Sequence, residues 1–251
     1  MPQSFILSVF SSGWGMTALI ILFVLMLVMF GLTIFFIAKK KSQADKSMAK
    51  YNRDLYQALN KFDTPQQKID VLKILIKRIG EDEKYKKDED WKNKVLVSTY
   101  IPLAAQYYKL GDEAQTLGVC SDIIALDADH AMAYYNRGSI YSDMGLYEQA
   151  LADLNKTIEL TPSYASAYNN RGMVYYRIGE YEKAVADYDK AIELEDSAIS
   201  YYNRGNAYYA LADSVKALSD FEKFLELDDN DDDELKKSVE LTAKVLKEEI
   251  K

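Results

Sequence analysis

The sequence predicts an all-α protein: one N-terminal transmembrane helix, then an α-solenoid of helical hairpins with a C-terminal capping helix. Two observations carry this. Residues 1–38 contain no charged side chain, and within them Met16 to Ala38 form an apolar run of 23. Farther along, a motif returns with a period of 34 residues, and its apolar positions follow helical spacing.

The apolar run comes first. As a helix rising about 1.5 Å per residue it reaches roughly 34 Å, enough to cross a hydrocarbon core of about 30 Å with some tilt. Trp14 stands at its head, where an indole favours the membrane interface, and Lys39, Lys40 and Lys41 follow it directly. That asymmetry places the lysine end in the cytoplasm and the short tail of residues 1–15 outside. A cleaved signal peptide is the competing reading, but it needs a basic start and a small-x-small cleavage site, and Phe35-Phe36-Ile37-Ala38-Lys39 supplies neither. The expected location is a single pass through a membrane, a bacterial cytoplasmic membrane in the first instance.

Charge divides the remainder. The 251 residues hold 39 acidic and 31 basic side chains, a net charge of -8. Residues 39–90 have 14 basic against 10 acidic, net +4, so the rest of the chain is net -12. A basic stretch beside the bilayer and an acidic distal domain held off it are what this polarity predicts. A phosphate backbone would be repelled by that distal domain, so nucleic acid is not an expected partner. One cysteine, Cys120, cannot form an internal disulfide, and one histidine, His130, leaves no imidazole pair for a metal or a proton relay.

The repeat is read from its columns. Tyr134-Tyr135-Asn136-Arg137-Gly138 returns as Tyr168-Asn169-Asn170-Arg171-Gly172 and again as Tyr201-Tyr202-Asn203-Arg204-Gly205. Tyr141, Tyr175 and Tyr208 keep step, as do Ala150, Ala184 and Ala217. Tyr134, Gly138 and Tyr141 share one face of a first helix, Gly145 or Gly179 ends it, and a second helix runs to the stop at Thr161-Pro162. Each unit is therefore a hairpin that buries its apolar face only by stacking on neighbours. The predicted organisation is a basic juxtamembrane helical region over 39–96, a degenerate unit over 97–130, regular units over 131–164, 165–197 and 198–230, and a polar-backed capping helix over 231–251. The degenerate unit has Ala104 for Gly138 and Thr116 for Ala150, and Pro102 is expected to kink its first helix. Residues 44–62 and 65–79 are expected to pair as a further hairpin. The acidic run Asp228 to Glu234 lacks the glycine and glutamate of an EF-hand loop and reads as favourable charge at a helix N-terminus.

Each regular unit also carries an Arg before its glycine and an Asp 16 residues later: Arg137 with Asp153, Arg171 with Asp187, Arg204 with Asp220. The degenerate unit has Leu103 and Val119 at those places, so both charges vanish together. Joint presence and joint absence predict structural ion pairs, with arginines that read a ligand as the alternative.

The columns Tyr134, Gly138, Tyr141, Gly145, Ala150, Leu154 and Pro162 resemble the tetratricopeptide repeat (TPR), closely over Ala131 to about Asp229. The resemblance implies protein–protein binding in a groove lined by first helices. Carried over residue by residue, it places Tyr135, Asn136, Ser139 and Ser142 in that groove. From the next units come Asn169, Asn170, Met173 and Tyr176, then Tyr202, Asn203, Asn206 and Tyr209. Asn136, Asn170 and Asn203 share one phase and are similar to the asparagine ladder of a protein-modifying sugar transferase. The Lys and Arg clamp with which some TPR domains hold chaperone tails is missing, since its places carry Tyr135, Asn170, Ile199 and Asn203. No phosphate loop, metal-ligand set or nucleophile–histidine pair is visible, so neither enzyme activity, a cofactor nor a small-molecule substrate is expected. The implied role is a membrane-anchored adaptor for a peptide or partner helix, with a structural subunit of an envelope-spanning secretion or flagellar assembly, or an organelle import receptor, as alternatives.

Overall fold

The computed structural model describes residues 33, 38–82, 88–228 and 234–250, which fall into two units, Met1–Lys61 and Phe62–Lys251. The predicted span 16–38 lies outside the described residues apart from Thr33 and Ala38. Among the described residues, no helix is long and apolar enough to cross a membrane. In the first unit residues 38–59 are helical (α1), and Lys39, Lys40 and Lys41 at their start are exposed.

The second unit is a succession of antiparallel helices, and no strand occurs among the described residues. Its opening helix α2 (Pro65–Glu81) is started by a capping box, in which Thr64 Oγ1 accepts from the Gln67 amide and Gln67 Oε1 accepts from the Thr64 amide. It packs on α3 (Glu89–Lys109), which pairs with α4 (Glu113–Leu126). Helix α3 starts ahead of residue 97 and runs continuously through Pro102. Three regular hairpins follow: α5 (Ala131–Asp143) with α6 (Tyr147–Leu160), α7 (Ala165–Arg177) with α8 (Tyr181–Leu194), and α9 (Ala198–Ala210) with α10 (Ser214–Leu227). The first helices α5, α7 and α9 also touch one another in turn, so they form an inner row. From the second regular unit to the third the step is 33 residues (Tyr168 to Tyr201) and not 34, and the shortening falls where α8 meets α9, in the connection 195–197.

All four hairpins turn in the same way. Gly111, Gly145 and Gly179 adopt φ of +69°, +74° and +81°, and the amide of the following residue reaches back to a tyrosine carbonyl. Those bonds run from Asp112 to Tyr107, Leu146 to Tyr141, Glu180 to Tyr175 and Asp213 to Tyr208, at 2.8–3.0 Å. This is the Schellman closure, which needs a left-handed residue and therefore favours glycine. The third regular hairpin makes it with Ala212 at φ +59°.

Inside each regular hairpin the glycine column lets two helices come close. A Cβ on Gly172 would stand 2.7 Å from Tyr188 Cε1, and one on Gly205 2.8 Å from Phe221 Cε1. Tyr188 and Phe221 are fully buried as a result. At the same register the degenerate unit has Ala104 and the smaller Cys120, both buried, Cys120 with 1% exposure. Methyl group and missing side-chain volume offset each other, as close packing requires.

The solenoid ends in α11 (Glu234–Glu249), which lays Val239, Ala243 and Leu246 on the core of Phe221 and Phe224. Its outer face is less polar than the sequence suggests, because Leu241 and Val245 are exposed there.

Candidate functional site

Each regular hairpin is clamped by its arginine. Arg137 donates from Nε to Asp153 Oδ2 at 2.7 Å and from Nη2 to Oδ1 at 2.9 Å. Arg171 binds Asp187 at 2.8 and 2.6 Å, and Arg204 binds Asp220 at 2.8 and 2.7 Å, in the same bidentate fork. The aspartates are nearly fully buried, and the tyrosines flanking each guanidinium lie 5.4–6.0 Å from it. The Asp153 hydrogen bond raises the Arg137 pKa, and Asp187 and Asp220 do the same for Arg171 and Arg204.

The remaining donor crosses to the preceding hairpin. Nη1 reaches Ser121 Oγ at 3.1 Å from Arg137, Asn155 Oδ1 at 2.6 Å from Arg171, and Asp189 Oδ1 at 2.6 Å from Arg204. The next position in this column, Glu222, pairs with Lys247 of the capping helix at 2.7 Å. Sequence reasoning missed this column, although the same 34-residue step connects Ser121, Asn155 and Asp189. These arginines are committed within the chain, which leaves the ligand-reading alternative without a free guanidinium among the three.

The inner row carries the predicted groove residues, and it is uneven along its length. In the middle and C-terminal part, several polar groups are spent internally. Asn170 Nδ2 donates to Tyr135 Oη at 3.2 Å and Asn203 Nδ2 to Asn169 Oδ1 at 3.0 Å, so two asparagines of the supposed ladder tie neighbouring repeats together. Tyr202 leans on Phe224 with ring centres 5.6 Å apart, and Tyr176 on Tyr181 at 5.3 Å. A cavity of about 180 Å³ gathers Met173, Tyr176, Asn203 and Asn206 with Arg177 and Tyr188. Tyr209 is exposed. Ser142 departs from expectation: it is buried, and its carbonyl accepts from Arg177 Nη1 at 2.9 Å.

At the N-terminal end, Tyr135, Asn136 and Ser139 of α5 face Ile101, Ala105 and Tyr108 of α3 across a cavity of about 320 Å³, with Asp143 also in its lining. Tyr135 is held from below by Tyr164, ring centres 4.9 Å apart, and burial raises its hydroxyl pKa. The α3 residues were not singled out from sequence. One more step of 34 back from Tyr135, Ser139 and Ser142 lands on Ile101, Ala105 and Tyr108, so the signal was present.

His130 caps α5, its Nδ1 accepting from the Ala133 amide at 3.2 Å. Cys120 is buried, and desolvation pushes its thiol up to about 11, where it is a poor nucleophile. Among the described residues no group of three His, Cys, Asp or Glu is placed to hold a metal.

Comparison with known proteins fits this architecture. A tetratricopeptide repeat family model matches residues 165–197, another 198–231, and a TPR repeat model 138–179. No curated protein matches the chain. Among solved structures, a crystal structure of MamA is 27% identical with a TM-score of 0.52, covering 66% of this chain and 94% of its own. A MamA RS-1 double mutant is 22% identical with a TM-score of 0.60, covering 74% and 98%. A thermophilic TPR protein of Thermus thermophilus, 20% identical with a TM-score of 0.50, covers 73% and 98%. The last two show likeness of fold alone. Residues 138–231 are tetratricopeptide repeats, and the described second unit is an all-α solenoid built on them.

Proposed function

We propose that this chain is a membrane-anchored scaffold that binds a polypeptide partner along the inner row of first helices. One observation carries the reading: the cavities of the inner row open between successive first helices and collect Tyr135, Asn136 and Ser139 in one, Met173, Tyr176, Asn203 and Asn206 in the other. Tyrosines and amides in shallow clefts offer apolar area and backbone-type hydrogen bonds together, which suits an extended peptide or a partner helix. The role is read as binding, from the tyrosines, amides and methionine that line the clefts. The charge-free run 16–38 followed by Lys39, Lys40 and Lys41 supports a single-pass anchor with the repeats on the cytoplasmic side.

The test is crosslinking in intact cells followed by mass spectrometry, comparing wild type with Ser139→Trp/Asn206→Trp, which fills both cavities. Partners captured by wild type should disappear from the variant. An identical partner list would remove the inner row as the binding surface. Alkaline carbonate should leave the protein in the vesicle fraction, and its release would remove the anchor.

A further inference from the structure

Resting on that reading, we infer that the cavity between α3 and α5 is the anchoring site. It takes one large aliphatic or aromatic residue of a partner polypeptide, adjacent to a single Lys or Arg.

Four observations converge there. First, the degenerate unit has exchanged the residues that face the inner row. Ile101, Pro102 and Tyr108 stand where the next unit has Tyr135, Asn136 and Ser142. Tyr108 is left 72% exposed and Ile101 40% exposed on the cavity wall, apolar area that only an incoming side chain removes from water. Second, the side chains of Asn136 and Ser139 on the opposite wall make no hydrogen bond among the described residues, whereas those of Asn170 and Asn203 do. Both stay available to a partner's backbone, as the Asn206 amide does in the other cleft. Third, the cavity's about 320 Å³ exceeds the 180 Å³ of the cleft farther along, and reaches the size at which ligand pockets begin, about 300 Å³.

The fourth observation is charge. Among the described residues Asp143 is the only formally charged one lining the cavity, and its side chain is 62% exposed. Its nearest cation, Arg177 Nη2, is 3.8 Å away, and that guanidinium already donates to the Ser142 carbonyl. Lys109, one repeat earlier at the same register, is exposed. The rim therefore alternates Lys109, Asp143, Arg177. One incoming cation can meet the Asp143 carboxylate, while further cations beside it meet Lys109 and Arg177 and are repelled.

The experiment uses the full chain in nanodiscs, panned with a phage-displayed random dodecapeptide library after depletion on empty nanodiscs. Enriched peptides should carry Leu, Ile, Met or Phe within four residues of one isolated Lys or Arg. A synthetic copy of the strongest should bind at least tenfold more weakly to Ser139→Trp, a few-fold more weakly to Asp143→Ala, and unchanged to Asn206→Trp. Tyr108→Ser, at an exposed position that does not threaten folding, should also weaken it. Binding lost with Asn206→Trp but retained in Ser139→Trp and Tyr108→Ser overturns this site and keeps the inner-row reading. Enrichment of acidic or polybasic peptides overturns the charge selection. No enrichment above empty nanodiscs overturns both the site and the inner-row reading.

Discussion

The hairpin α3–α4 and the three regular hairpins close with the same Schellman turn, yet different chemistry holds them inside. Regular units oppose glycine with a large side chain and bind Arg to Asp in a fork, as in Gly172 beside Tyr188 and Arg171 with Asp187. The degenerate unit opposes Ala104 with Cys120 and has Leu103 and Val119, both buried, in place of the ion pair. Turn geometry depends on a few backbone atoms and survives any exchange of interior. The interior tolerates exchange only in complementary pairs, because volume must be conserved and a buried charge must keep its partner.

The largest effect should come from breaking one fork while leaving its arginine. Asp153→Ala strands the Arg137 guanidinium, which is 20% exposed, and should cost about 3–5 kcal/mol of unfolding free energy in urea titrations. Arg137→Leu/Asp153→Val, which installs the degenerate unit's own pair, should recover most of that loss. Equal stability of single and double variants would mean the two interiors are not interchangeable solutions.

Next in size is the thiol that replaces Tyr188 and Phe221 in the degenerate unit. Burial raises the Cys120 pKa from 9.0 to about 11, so its contribution is fully present below pH 9 and lost as pH rises through 11. A rise of that size corresponds to about 2–3 kcal/mol. The stability difference between wild type and Cys120→Ala should shrink over that window, and a pH-independent difference would contradict it. Maleimide should label Cys120 only in denaturant.

Importing half of a regular interior into the degenerate unit should do slightly less harm. Cys120→Leu overpacks against Ala104 and should cost about 1–3 kcal/mol, and Ala104→Gly in the same chain should restore part of it. The smallest effect is a gain. Ala212 takes the left-handed turn position that glycine occupies in the other hairpins, so Ala212→Gly should stabilise by about 1 kcal/mol and raise Tm by a few degrees. An unchanged or lower Tm would show that the turn bears no strain.

Much of this was legible in the sequence. The Arg and Asp spacing of 16 anticipates the fork because two antiparallel helices joined by a short turn bring those positions face to face. The hairpins were legible because Gly145, Gly179 and Pro162 stop helices for local reasons. The cross-repeat bonds were not. That Asn170 donates to Tyr135, or that Arg204 reaches Asp189, depends on how one hairpin sits on the next. Ser142 and the exposed Leu241 likewise differ from the sequence reading, because a column of the repeat fixes a helical phase and leaves open which neighbour covers it.

By itself, then, the sequence determined the period, the helix limits and the pairing inside each hairpin, all of which follow from contacts within a single repeat. It also set the polarity of charge along the chain. Only the stacked structure decided where the inner row is sealed and where it stays open. Asn170 and Asn203 are consumed by neighbours while Asn136 and Ser139 are not, and Ile101 and Tyr108 are left bare beside them. That outcome rests on packing between successive hairpins, where a side chain's exposure is set by the repeat before and after it and not by its own motif.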